Sequence, residues 1–160
     1  MAVIHHNMLN YLKILVLTCI SAISTFAACH KEDPSQAPPT LYERLGGIHR
    51  ISEFVDQFIV NVKEDQAINA RFIATLSNPS SARLFRLNLI DQICAESGGP
   101  CTYKGMTMKT AHKNMNITKA EFDALVGDFV SALDQLNVGE KEKTEILGIL
   151  RPMQADIVSR

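Results

Sequence analysis

His112 is the side chain of this sequence whose chemistry and setting together invite a functional reading. It lies in an irregular stretch from Gly98 to Ile117, among Met106, Met108 and Met115, and it is the one histidine of the chain's five found there. Imidazole is a common metal ligand and proton carrier, yet a lone histidine among apolar residues is more often a packed, hydrogen-bonded side chain. The other reactive groups of the body are Cys94 and Cys101. With six residues between them, they match neither the CxxC of a redox site nor half of a zinc site. The preferred reading is a buried small side chain plus a loop thiol; an oxidised bridge is the other, and requires an oxidising compartment.

Helices flank that stretch and must position it. Ile51, Phe54, Val55, Phe58, Ile59 and Val62 recur at offsets of three, four, seven, eight and eleven, which predicts an amphipathic helix with one buried face. Ser80 or Ser81 is expected to cap a second helix carrying Leu84, Leu87, Ile90, Ile93 and Cys94, ending at Gly98-Gly99-Pro100. Thr118 and Glu121 form a capping-box pattern ahead of Phe122, Leu125, Val126, Phe129 and Leu133. A final helix is expected to run from Ile146 through Leu150 and Met153 to Ile157. No alternation of strand type is long enough to matter, so the class is all-α. A loop as long as Gly98 to Ile117 inside such a domain is usually functional.

With 160 residues there is room for one ordinary domain, and a formal net charge of -1 predicts no nucleic-acid surface. The N-terminal end is of another kind. One charge, Lys13, precedes the apolar run Ile14 to Ile20 and then small residues, the form of a signal-peptide core too short to span a bilayer. Cleavage is expected after Ala27-Ala28, making residues 1–28 a signal peptide. Phe26-Ala27-Ala28-Cys29 resembles the bacterial lipoprotein box, which implies a lipid on Cys29 and a place on the periplasmic face of a membrane; plain secretion of a soluble protein is the alternative. Pro34, Pro38 and Pro39 mark residues 29–40 as an extended linker, and residues 41–160 as the folded domain.

From Leu41 to Val158 the chain resembles the group I truncated haemoglobins, small bacterial globins with a two-over-two helical sandwich. Leu41-Tyr42-Glu43-Arg44-Leu45-Gly46-Gly47 is similar to their first helix and diglycine hinge, and Phe54-Val55-Asp56-Gln57-Phe58 to their B helix. Ile68-Asn69-Ala70-Arg71-Phe72 ends on the phenylalanine that globins pack against the haem. Gly98-Gly99-Pro100-Cys101-Thr102-Tyr103-Lys104-Gly105 resembles the second diglycine loop, and Met108-Lys109-Thr110-Ala111-His112 the short segment that bears the proximal ligand.

The resemblance implies one haem b with its five-coordinate iron on His112, in an apolar slot walled by Met106, Met108, Phe72 and Phe122, with Lys109 and Tyr103 reaching the propionates. Phe58 is expected at the cofactor, and Ile59, Phe85 and Leu89 on the gas-binding side. Ile59 stands where family members commonly carry a tyrosine, Asn88 is the nearest polar side chain, and Asn116 replaces a customary glycine. A pocket so poor in donors favours NO or CO over storage of O2, because bound oxygen gains most from a hydrogen bond. The expected protein is a monomeric gas binder. NO dioxygenation or peroxidase-like turnover with an external reductase, and a tethered interaction module without haem, are the alternatives.

Overall fold

The computed structural model describes residues 37–158. The expected signal peptide, its expected cleavage site and Cys29 lie outside the described residues. Thr40 opens the first helix, α1 (Leu41–Arg44), as its side chain accepts from the Glu43 amide and the Glu43 carboxylate accepts from the Thr40 amide at 2.7 Å. Two glycines then reverse the chain. Gly46 and Gly47 have φ of +92° and +71°, a conformation that side chains with a Cβ rarely adopt, and they lead into α2 (Gly47–Glu64).

The face of α2 that the periodicity predicts is the face that is buried: Ile51, Phe54, Val55, Phe58 and Val62. Ile59 is only half-buried. Phe54 and Phe58 meet Phe129 edge-on, with ring centroids 4.6 and 5.6 Å apart, so the centre of the core is a three-ring cluster.

Short α3 (Asn69–Ser77) hands over to α4 (Pro79–Glu96) through Asn78. The cap of α4 is therefore Asn78, whose side chain accepts from the amides of Ser80 and Ser81, and not either serine. Pro79 at the first helical position begins the helix there, since its missing N–H would have had no partner. A second correction concerns the buried stripe of α4. Leu84 and Leu87 are exposed, Ile90 and Cys94 are buried, and Phe85, Leu89 and Gln92 turn to another side. The helix carries apolar residues all round, so spacing alone could not choose its inner face.

Cys94 and Cys101 are joined in a disulfide, which corrects the preference for free thiols. Their sulfurs meet because the chain folds tightly at Gly98-Gly99, where the Gly99 amide donates to the Cys94 carbonyl at 2.8 Å. A Cβ on Gly99 would lie 2.5 Å from Tyr42 and 2.7 Å from Cys94 Sγ, so this turn has no room for a side chain.

Beyond the loop come α5 (Met108–Ala111), α6 (Lys119–Gln135) and α7 (Glu140–Leu150). The Thr118–Glu121 capping box forms as predicted. The expected last helix is broken: a 3-10 turn, Arg151–Met153, separates α7 from α8 (Gln154–Ile157). Pro152 is the cause, having no N–H for the ladder and a ring that crowds the preceding turn. Among the described residues there is no strand, only one isolated parallel bridge between Ile117 and Val158. The principal packing is of α2 on α6 and on α4, with α3 beside α4. A smaller apolar cluster of Ile117, Phe122 and Ile157 with Met108 and Met153 closes the far end.

Candidate functional site

A cavity of about 450 Å³ lies beside the main core, within the range of sites that enclose a cofactor or small ligand. Phe58 of α2, Phe72 of α3, Phe85 and Leu89 of α4, and Phe122 and Leu125 of α6 supply apolar wall. Phe72 and Phe85 stand 5.7 Å apart, ring centre to ring centre. Ile149, Leu150 and Met153 of the C-terminal end complete a lining that sequence periodicity had assigned simply to a packed helix.

His112 is the imidazole on this wall. Thr107 starts α5, its hydroxyl accepting from the Thr110 amide at 3.3 Å, and after one turn His112 is the C-cap. Its Nδ1 lies 2.8 Å from the Met108 carbonyl oxygen. A carbonyl only accepts, so Nδ1 must carry the proton, which leaves the lone pair of the neutral ring on Nε2. Asn114 and Asn116 continue the chain with φ of +64° and +52°. Asparagine tolerates that conformation, as expected for Asn116.

The guanidinium of Arg71, in the first turn of α3, crosses to this turn. Its Nε–H donates to Glu121 Oε1 at 2.7 Å, one Nη to the Met115 carbonyl at 2.8 Å and the other to the Asn116 carbonyl at 3.4 Å. Glu121 also accepts from the Thr118 amide and hydroxyl, and Arg71 with these two donors holds its carboxyl down at about 2. Arg71 was not singled out in the sequence, and its one local signal was adjacency to Phe72.

Of the expected site residues, Phe58, Phe72, Phe85, Leu89, Tyr103, Met108, His112 and Phe122 line the cavity, and so does Met106, mostly exposed at its rim. Ile59 and Lys109 do not. One residue beyond Phe58 is a turn of about 100° round the helix, and Ile59 packs against the main core instead. Lys109 is exposed on α5. Tyr103 donates its hydroxyl to the Met106 carbonyl at 2.8 Å, and burial pushes its phenol above the ordinary value. Gln92, unremarked in the sequence, turns its amide toward the sulfurs of Met153 and Met108 at 3.7 and 3.9 Å.

The donor set tells what could be held. Among the described residues no group of three His, Cys, Asp or Glu side chains converges, so a bare ion would lack ligands. One imidazole with a free Nε2 in an apolar slot suits a metal that arrives already held within a flat organic ring, as in haem.

The comparisons agree with that chemistry. The family profile described as bacterial-like globin matches residues 40–159. The group 1 truncated hemoglobin GlbN of Mycolicibacterium paratuberculosis is 29% identical over 122 residues, 76% of this chain and 86% of that protein. The crystal structure of truncated hemoglobin from Tetrahymena pyriformis, in its Fe(III) form, superposes with a TM-score of 0.68 at 27% identity, covering 76% of this chain and all of that one. The 2/2 hemoglobin from Synechococcus, solved with covalently attached heme, does so with 0.69 at 26% identity and the same coverage.

Proposed function

The chain belongs to the bacterial-like globin family, with the all-α two-over-two fold and a haem cofactor, and on that premise we propose that His112 ligates the iron and that Phe58, Phe85 and Leu89 form an apolar wall for the bound gas. Haem supplies the iron on which globins take diatomic gases such as O2. The rest is the work of this chain's side chains. The carbonyl of Met108, accepting from Nδ1 at 2.8 Å, fixes the tautomer and the ring plane and raises the basicity of Nε2. That contact is the observation that carries the proposal. Phe72, Met108 and Phe122 exclude water from the slot, since their side chains offer it no strong hydrogen-bond partner.

On the gas side Leu89 and Phe85 donate nothing. Gln92 is turned to the methionine sulfurs, and the other polar residues of α4 on the cavity are Asn88 and Glu96, whose carboxylate only accepts. Such a wall favours CO and NO, which depend little on a donor, over long retention of O2. We further propose that the protein is exported and anchored through Cys29. The motif at residues 26–29 supports this, as does the Cys94–Cys101 bridge, because disulfides persist in oxidising compartments.

Replacing His112 with glycine in the haem-reconstituted protein tests the ligand. The Soret band is expected to shift and weaken, and free imidazole at millimolar concentration to restore it by filling the vacated position. A His112→Gly protein that keeps the native band and native CO-binding kinetics without imidazole refutes the assignment.

A further inference from the structure

We infer that Arg71 is a positioning residue for the iron ligand, holding through the carbonyls of Met115 and Asn116 the turn that carries His112. It rests on His112 being the ligand.

The turn has little to hold it by itself. Helix α5 is four residues long, and the backbone bonds that follow it are long: the Lys113 amide to the Thr110 carbonyl at 3.4 Å, and the Met115 amide to the His112 carbonyl at 3.2 Å. Two of the next residues, Asn114 and Asn116, occupy the left-handed region, which interrupts any helical ladder. The Met115 and Asn116 carbonyls instead accept from one guanidinium that comes from α3, 44 and 45 residues earlier in sequence.

The planarity of arginine is what makes this possible. Three of its donors point to three acceptors, two on the turn and one on Glu121 at the start of α6, so the fork spans from the histidine turn to the next helix. Glu121 is itself fixed, its second oxygen accepting from the Thr118 amide at 2.8 Å. A lysine has a single nitrogen and cannot reach all three acceptors in this arrangement. An exposed arginine–carboxylate pair contributes little by itself. Here the contacts to backbone carbonyls, beside the cavity and adjacent to Phe72, give the side chain a different role: they restrain where Nε2 stands.

The test uses the full chain reconstituted with haem, comparing Arg71→Met, Arg71→Lys and Glu121→Gln with the parent, and with Arg86→Met as a control that removes the Arg86–Asp56 pair between α4 and α2. The readouts are the rate of haem transfer to excess apomyoglobin and the iron–histidine stretching band in resonance Raman spectra. Thermal unfolding of the haem-free protein is followed in parallel. Arg71→Met is expected to lose haem about tenfold faster, the factor that one hydrogen bond from a charged donor supplies, with a shifted or broadened stretch. Arg71→Lys should recover less than half of that loss, and Glu121→Gln should fall between parent and Arg71→Met, because its arginine keeps both carbonyls. Should Arg71→Met fail to fold, the other two variants carry the same comparison. Haem loss and stretching band at parental values in the Arg71 variants, while His112→Gly loses its band, would overturn the inference alone. A His112→Gly protein with the parental band would overturn the ligand reading and this inference with it.

Discussion

Cutting the bridge between Cys94 and Cys101 should lower stability by an amount that its place in the chain sets. The two residues are seven apart, and closing so short a loop removes about 8 cal/mol/K from the unfolded chain, or about 2.4 kcal/mol at 25 °C. The substitution to make is Cys101→Ser. Cys94 is fully buried, and a hydroxyl there would add a cost of its own, whereas Cys101 is half-buried. For a domain of this size, such a loss corresponds to a fall in melting temperature of about 10 °C. Circular dichroism melts with and without a phosphine reductant separate the bridge from the side chain: the reductant should lower the native protein by that amount and leave Cys101→Ser unchanged. Trapping thiols in intact cells would also report where the chain resides, since the pair should be oxidised in an exported protein. Native and substituted proteins that melt within about 2 °C of each other, in both conditions, would refute the reasoning.

The carboxyl of Glu121 has its folded pKa lowered to about 2 from 4.5, chiefly by Arg71, so its stabilising contribution is present above about pH 4.5 and is lost as the pH falls toward 2. The difference in melting temperature between native protein and Glu121→Gln should therefore be constant near neutrality and close below pH 4.5; a gap that does not change with pH would argue against the ion pair. Introducing a donor on the apolar wall with Leu89→Gln should slow O2 dissociation by about tenfold while changing CO affinity little, as measured by stopped-flow displacement of O2 with CO. An unchanged rate would mean that another polar group already serves the gas. Cys29→Ser should move the protein from the detergent phase to the aqueous phase after phase separation of cell membranes; equal partitioning of both forms would remove the anchor while leaving export in place.

What could be read in advance followed the physics of each element. The buried face of α2 was legible because five apolar residues share one side and the opposite side is polar apart from Val60. Helix α4 was not: Leu87 and Cys94, seven residues apart, share nearly one side, yet the first is exposed and the second buried, while Phe85 and Leu89 face the cavity, so only the neighbouring elements decide what is covered. Phe72 and the segment Met108 to His112 were found through local motifs. Ile59 was assigned to the cavity by its position in such a motif, but packing against the core decided otherwise. Arg71 carried almost no signal, because its acceptors lie 44 to 50 residues away and two of them are backbone carbonyls, which any residue type provides. The bridge was undecidable from spacing alone, for the turn at Gly98-Gly99 that brings the sulfurs together depends on the room left by Tyr42.

The isolated bridge between Ile117 and Val158 bears on the order in which the protein is made. A chain leaves the ribosome N-terminus first, at about 5–20 residues per second. The histidine turn thus emerges some seconds before the residues that pair beside it, and until Ile157 and Val158 follow, the apolar cluster of Ile117 and Phe122 lacks its third wall. Ile157 also lines the cavity, so a turn made well after the histidine segment supplies part of the wall beside it.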